Sequence, residues 1–171
     1  MKRFLIMIMA LFALVALSAC GKKEYPYDGE FTAFKYADEV DASDLTWVTV
    51  TVEKGKVVSY YIDVLQYKNG EFLEKSKKEL GYEYGMKETS ANRGVIEGGA
   101  EWFEQAAVIE AAFLKDGPAK LSLDKDDHID GLTGATITGK TYKEVALAAL
   151  DLAQDGNHID LPDQIKNRLE K

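Results

Sequence analysis

Two stretches of alternating apolar and polar residues, on either side of a short turn, constrain the fold of this chain more than any other feature. Trp47 to Val52 and Val57 to Val64 place successive side chains on opposite faces of extended strands. Glu53 to Lys56, between them, contains a glycine, which suits the backbone angles of a tight hairpin turn. The pattern predicts two paired strands and therefore an antiparallel sheet.

The rest of the chain supplies another strand and the helices that cover the sheet. Gly29 to Tyr36 alternates in the same way and predicts a strand. Apolar residues recur at helical spacing from Trp102 to Phe113, which predicts a helix over about 101–115. Tyr142 to Leu152 predicts a second helix, ended by a glycine. A last short strand is expected at Leu121 to Leu123.

These elements predict an α+β fold, in which helices cover a twisted antiparallel sheet in a single domain. We expect this domain to span residues 29–156 and a C-terminal helix to span residues 157–171. In the middle, residues 68–80 predict a charged loop entering a short helix, followed by a loop rich in glycine and aromatic residues at 81–87.

The start of the chain resembles a bacterial lipoprotein signal. Two basic residues followed by apolar Phe4 to Leu17 predict a signal peptide over residues 1–19. Leu17 to Cys20 resembles the site at which signal peptidase II cuts before a lipidated cysteine. A retained membrane helix is the alternative, but the apolar stretch is shorter than the ~20 residues that cross a bilayer. We therefore expect acyl chains such as palmitate on Cys20, a tether over 20–28, and a domain on the extracytoplasmic side of the cell membrane.

Composition narrows the class of partner. The chain has 21 basic and 29 acidic residues, and loss of the signal peptide would leave 19 against 29, a net charge of −10. Such a charge argues against nucleic acid as a partner and against a basic membrane-binding face, so attachment to the membrane would depend on the lipid anchor. The single cysteine excludes an internal disulfide and a cysteine-based metal site.

A run from Asp130 to Thr138 carries an acidic residue, a hydroxyl, glycine, alanine and threonine in close order. The simplest structural interpretation is a turn at Gly134 followed by a helix capped by Thr138 or Thr141. Thr141 and Glu144 have the spacing of a capping box.

The same region also fits the pattern of a nucleoside-triphosphate loop. Gly134 to Thr141 reads G-x-x-x-x-G-K-T, in which backbone amides cradle phosphates. Such a loop follows a buried apolar strand of a parallel sheet, whereas Lys125 to Asp130 is polar, and little chain follows to complete that sheet. The context therefore disfavours an NTPase.

The run from Asp130 to Thr138 resembles the motif of the FMN-binding domain family, in which FMN is joined through its phosphate to a threonine. That family includes flavin-carrying components of the sodium-translocating NADH:quinone reductase and of the Rnf complex. The opening strand and Lys-Gly hairpin also resemble this domain, so the resemblance extends from about Asp28 to Gln154. It implies FMN as cofactor and Thr136 as the attachment residue. Gly139 departs from the family, since many relatives have a serine there.

A threonine can be esterified only where a modifying enzyme reaches its hydroxyl, so we expect Thr136 on a narrow, exposed turn. Gly134 can adopt backbone angles closed to other residues, and loop amides leading into a helix can hold a phosphate. The resemblance assigns to the cofactor site the motif residues Asp130, Thr133, Gly134, Ala135, Thr136, Ile137 and Thr138.

The resemblance implies an electron carrier rather than a self-contained enzyme. An exported flavin transferase would attach FMN, and the protein would relay electrons between a membrane dehydrogenase or the quinone pool and an external acceptor. A non-covalent FMN or small-ligand binding lipoprotein without a redox role is the alternative, and a structural lipoprotein is a third.

A flavin ring also needs an apolar or aromatic wall with a few polar groups. His128 and His158 lie beside acidic residues in polar loops, and we expect solvated side chains rather than a metal pair. The candidates for the wall are Tyr82, Tyr84, Met86, Lys87, Trp102 and Gln105.

Overall fold

The computed structural model describes residues 24–37 and 43–159. These residues form a four-stranded antiparallel sheet that curls against helices, with the strands side by side in chain order, which confirms the α+β prediction. The strands are β1 (Gly29–Ala37), β2 (Ser43–Glu53), β3 (Lys56–Lys68) and β4 (Glu71–Phe72). The helices are α1 (Lys77–Leu80), α2 (Lys87–Asn92), α3 (Trp102–Asp116) and α4 (Lys140–Asp155), with 3₁₀ turns at Gly81–Tyr84 and Pro118–Lys120.

The predicted hairpin is confirmed, and its strands are longer than the alternating stretches that predicted them. Lys54 and Gly55 both have positive φ, 53° and 73°, which is the geometry that lets a two-residue turn follow the twist of its strands. β2 starts before Trp47 and β3 continues beyond Val64, because Leu45 and Leu65 pair across the strands and pack together with the tryptophan.

The main core lies between the sheet and the two long helices. α4 packs on β1 and β2, and α3 packs on β3. The opposite face of the sheet carries a smaller apolar cluster of Leu45, Trp47 and Leu65. The strand residues that face the helices are Phe31, Ala33, Val48, Val50, Val52, Tyr60, Ile62 and Val64.

The two long helices occur where periodicity predicted them, but the start of α4 differs from the prediction. Glu101 and Glu104 form a reciprocal capping box at the start of α3. In α4 the N-cap is Gly139, without a side-chain cap, so the predicted capping by Thr138 or Thr141 is wrong. The Gly139 amide donates to the Asp127 carbonyl at 2.7 Å, and the helix begins at the next residue, Lys140, before Thr141.

The predicted strand at Leu121 to Leu123 is reduced to a single bridge between Leu123 and Ile129. Within residues 24–37 and 43–159, none of the helices combines the length and the apolar character needed to span a bilayer. The predicted signal peptide, Cys20 and most of the C-terminal helix lie outside the described residues. In the segment expected to be a tether, Tyr25 is buried and its amide donates to the Gly55 carbonyl.

Candidate functional site

The loop before α4 forms the floor of a groove made of two adjoining hollows, of about 270 and 260 Å³. Arg93, His128 and Thr136 line both hollows, so Thr136 lies where the two meet. Each hollow is smaller than the roughly 300–1,000 Å³ of a small-molecule site, but together they fall within it.

Glycine backbone geometry shapes this loop, as the sequence predicted. Gly134 has φ +91°, a value that is strained for residues with a Cβ. A Cβ at this position would lie 3.5 Å from Val108 on α3, which is ordinary contact. The need for glycine is therefore conformational and not a matter of space.

Thr136 is buried rather than exposed, in contrast to the predicted exposed turn. The residue is 6 % exposed. Its backbone N–H donates to Oε1 of Gln105 at 2.7 Å, and its hydroxyl donates to the same oxygen at 3.1 Å. The turn is held against α3 by these bonds, which is why it does not project into solvent.

Gln105 is wholly buried behind Thr136 and does not line either hollow, so it is not part of the groove wall in this structure. Its Nε2 donates to the Ala100 carbonyl at 3.0 Å and to Ser90 Oγ at 3.3 Å. Both ends of the amide are thus occupied by hydrogen bonds within the protein, as a buried amide requires.

The other predicted wall residues divide into two groups. Tyr84, Met86 and Trp102 line the hollow of about 270 Å³. Lys87 and Tyr82 do not line it: Lys87 is exposed, and Tyr82 is 70 % exposed and packs edge-on against Phe103. The glycine-rich loop leaves these two side chains exposed to solvent.

The motif residues divide in the same way. Ala135 lines one hollow, and Ile137 and Thr138 line the other. Asp130 and Thr133 are exposed and line neither. The Asp130 amide donates to the Ser122 carbonyl at 3.0 Å, so this residue helps to close the loop that precedes the groove.

Sequence reasoning missed four residues that line the hollow of about 270 Å³, of which Arg93 is the most informative. Its Nη1 donates to the Thr136 carbonyl at 3.1 Å, so a guanidinium lies directly beside the motif. Arg93 is the only arginine in the described part of the chain, a signal that composition could have supplied. The other three are Lys77, His128 and Tyr142.

Lys77 and Tyr142 shape the aromatic side of the groove. The Lys77 ammonium lies 5.7 Å from the ring centroids of both Tyr84 and Trp102 and pairs with Asp44 at 3.0 Å. Burial raises the pKa of the Tyr142 phenol.

His158 is exposed and His128 is partly buried, and both rings also make contacts within the fold. His128 lines the groove and contacts Asp124 at 3.3 Å, and His158 stacks on Phe31 with ring centroids 5.1 Å apart. The two rings therefore lie in different places, one in the groove and one against β1. The polar residues around each histidine gave no sign of the contacts that its ring makes elsewhere in the fold.

A serine in place of Gly139 would have no room in this loop. A Cβ there would lie 2.5 Å from Cγ1 of Ile129, and the glycine amide is already bonded to Asp127. Ile129 is buried in the main core and cannot leave freely. The departure from the family pattern is therefore explained by local packing.

A known family covers most of the residues that the structure describes. The FMN-binding domain matches residues 42–151, which include the sheet from β2 onward, the groove and most of α4. The chain belongs to the FMN-binding domain family. A Clostridium thermocellum protein of known solution NMR structure is 32 % identical, with 74 % of this chain and 92 % of that chain covered and a TM-score of 0.48.

A second protein of known structure is more distant in sequence from this FMN-binding domain. It is a Clostridium perfringens protein solved by crystallography, 19 % identical, with 79 % of this chain and 98 % of that chain covered and a TM-score of 0.49. No curated protein matches the chain. The family identifies FMN as the ligand to consider for the groove.

Proposed function

We propose that this domain carries FMN covalently on Thr136 and acts as an electron carrier. The observation that supports this most directly is the position of Thr136 at the junction of two hollows, with Arg93 beside it. A flavin phosphate and a flavin ring need different surroundings, and the groove offers a different surface to each.

The residues of the groove fit FMN in chemical character. Tyr84, Met86, Trp102 and Tyr142 supply an apolar and aromatic wall of the kind that holds an isoalloxazine ring. Arg93 supplies a planar cation suited to a phosphate, and within the described residues it forms no ion pair that would compete. When bound, FMN supplies one- and two-electron transfer, and the protein supplies position and electrostatics.

Attachment is a phosphoryl transfer in which Thr136 is the acceptor. A bond forms between Thr136 Oγ1 and the phosphorus of the FMN half of FAD, and the bond from that phosphorus to the oxygen shared with AMP breaks. AMP leaves with the electron pair, and the hydroxyl proton passes to a base of the modifying enzyme. The protein contributes the position of its hydroxyl, which is the principal catalytic requirement in such transfers.

We further propose that the domain is held outside the cytoplasm by lipid on Cys20, and that it relays electrons between a membrane dehydrogenase or the quinone pool and an external acceptor. The apolar start of the chain and the residues Leu17 to Cys20 support the anchor. A covalent flavin suits that location, because a dissociated cofactor would be lost outside the cell.

The intact mass of the mature domain, coexpressed with a flavin transferase, tests the attachment. We expect wild type to gain the mass of one FMN less water and Thr136→Ala to gain nothing. Thr89→Ala is the matched control, because it removes the hydroxyl of an exposed threonine outside both the motif and the groove. A Thr136→Ala protein that still carried flavin through denaturation would contradict the proposal.

A second candidate is non-covalent FMN binding, and the burial of Thr136 favours it. The hydroxyl donates to Gln105 and is not free in this structure, so the same groove could hold FMN without an ester bond. Acid chromatography of the flavin-loaded domain separates the two candidates. Flavin that elutes apart from the polypeptide supports non-covalent binding, and flavin that stays with it supports the ester.

A further inference from the structure

We infer that Gln105 is a positioning residue for the acceptor threonine. This inference rests on the proposed attachment of FMN to Thr136. One amide oxygen of Gln105 accepts both the backbone N–H and the hydroxyl of Thr136, at 2.7 and 3.1 Å. Gln105 is wholly buried, so water does not compete for these bonds.

The surroundings of Gln105 determine which end of its amide faces Thr136. Its other end lies 3.0 Å from the Ala100 carbonyl, an atom that can only accept a hydrogen bond. The nitrogen must therefore face Ala100, and the oxygen must face the N–H of Thr136. The amide is fixed in one orientation by bonds at both ends and is attached to the long helix α3 rather than to a loop.

This arrangement gives the hydroxyl of Thr136 a defined direction. Its proton points at the Gln105 oxygen, which leaves the lone pairs of Oγ1 available on the other side. Thr136 lines both hollows of the groove, so that other side is where a phosphoryl group would approach. Fixed geometry of a reacting atom lowers the barrier to transfer.

The two bonds respond differently to esterification. The hydroxyl proton turns away from Gln105 to the base of the modifying enzyme as the new bond forms. An ester oxygen has no proton, so the bond from the hydroxyl to Gln105 ends when the phosphate is attached. The bond from the Thr136 N–H does not involve the hydroxyl and can remain. Gln105 therefore holds the main chain of the motif before and after attachment, and holds the side chain only before it.

Substitution of Gln105 by methionine tests this role. The two side chains have similar volume, and methionine cannot accept both bonds. We expect the kcat of flavin transfer to the purified apo-domain to fall about tenfold or more with little change in KM, because the acceptor is present but poorly oriented. We also expect the Thr136 amide proton to exchange with solvent faster than in wild type.

Ile109→Val is the matched control, since Ile109 is a wholly buried residue of the same helix whose side chain can form no hydrogen bond. It should lower stability slightly and leave both kcat and amide exchange at Thr136 unchanged. A Gln105→Met protein with wild-type kcat would overturn the inference. So would a loss that appears equally in Ile109→Val, because it would reflect damage to the core.

Amide exchange in the wild-type apo-domain is a second test that needs no variant and no flavin. Slow exchange at Thr136 supports the inference, and exchange as fast as that of an unprotected loop amide overturns it. If wild type acquires no flavin, the proposed attachment fails, while the exchange result still decides whether Gln105 holds Thr136. The two failures are therefore distinguishable.

Discussion

Two buried polar clusters contact α3, through Glu110 and through Gln105, and only the second borders the groove. The first is centred on Asp63 of β3, which is 1 % exposed. Its carboxylate accepts from the hydroxyls of Ser76 and Tyr61, at 2.7 and 3.2 Å, and from the amides of Val64 and Lys78, at 2.8 and 3.1 Å. The second is the neutral pair of Gln105 and the motif threonine.

The first cluster also contains an ion pair. The Lys78 ammonium bonds to Glu110 of α3, and Glu110 also accepts the Ile62 amide of β3 at 2.6 Å. The cluster thereby joins α1, β3 and α3. None of its residues lines the groove of the FMN-binding domain.

The comparison teaches how a structural polar cluster differs from a candidate site. At Asp63 the four donors are satisfied and the cluster does not border the groove, so we assign it a role in stability. At Thr136 the donors are also satisfied, but the residue borders open space and has a cation next to it. Substitutions should therefore separate stability from flavin attachment.

The largest expected effect on stability is that of Asp63→Ala. The change leaves four donors without their acceptor in a buried region, and each unsatisfied buried group costs about 1–3 kcal/mol before relaxation. Because water can enter as the site relaxes, we expect a total loss of about 3 kcal/mol in the free energy of unfolding. Urea denaturation measures it.

Asp126→Ala is the control for this prediction, because Asp126 is an exposed aspartate and should change stability by less than about 0.5 kcal/mol. Flavin attachment to folded Asp63→Ala protein should match wild type. Equal losses in the two variants would mean that the buried cluster does not stabilise the fold, and a specific loss of flavin would break the comparison.

The fold was predictable because its signals are local. Alternation from Trp47 to Val64 and helical spacing from Trp102 to Phe113 are read within one segment, and the structure confirms both. The groove was less predictable because it joins distant segments. Arg93 approaches the motif across 43 residues and Gln105 across 31, and spacing along the chain does not reveal such contacts.

Gln105 shows this limit most clearly. It was expected in the flavin wall on account of its place beside an aromatic helix start, and it is instead bonded behind the loop. Helical periodicity indicates that a residue faces the core, but it does not indicate which loop covers that position. The prediction that Thr136 is exposed is wrong for the same reason. Its burial depends on the contact with Gln105 of α3.

A smaller effect is expected at Gly139, which lies in the motif loop and is also part of the core packing. Gly139→Ser introduces a Cβ 2.5 Å from Cγ1 of Ile129, so Ile129 must shift. Overpacking of this kind costs about 1–3 kcal/mol. Thermal or urea unfolding measures the loss, and flavin attachment should persist because Thr136 is unchanged.

The double variant Gly139→Ser with Ile129→Ala sharpens this prediction. Ile129→Ala removes the atoms that the new side chain meets, and it is destabilising by itself because Ile129 is buried. We expect the double variant to lose less stability than the two single variants together. Additive losses would show that the close approach to Ile129 is not what requires glycine.

The smallest expected effect is a change with pH at Asp63. Burial raises the pKa of the Asp63 carboxyl, although hydrogen bonds from Ser76, Lys78 and Val64 oppose the shift. The folded pKa then exceeds that of the unfolded chain, about 3.9. Stability from this group is therefore complete below the unfolded pKa and is lost as pH rises through the folded pKa.

Asp63→Asn removes this titration while keeping the shape of the side chain, so the wild-type protein should lose stability relative to Asp63→Asn as pH rises from about 4. Asp124→Asn is a control of opposite sign, because the amide of His128 lowers the pKa of the Asp124 carboxyl. There the wild-type advantage should grow as pH rises through the range below about 4, and it should be complete above that pH. Urea unfolding of all three proteins at several pH values measures both slopes. Slopes of the same sign would mean that burial does not determine the direction of the pKa shift of Asp63. Hydrogen bonding alone would then distinguish the buried structural carboxylate from the exposed loop carboxylate.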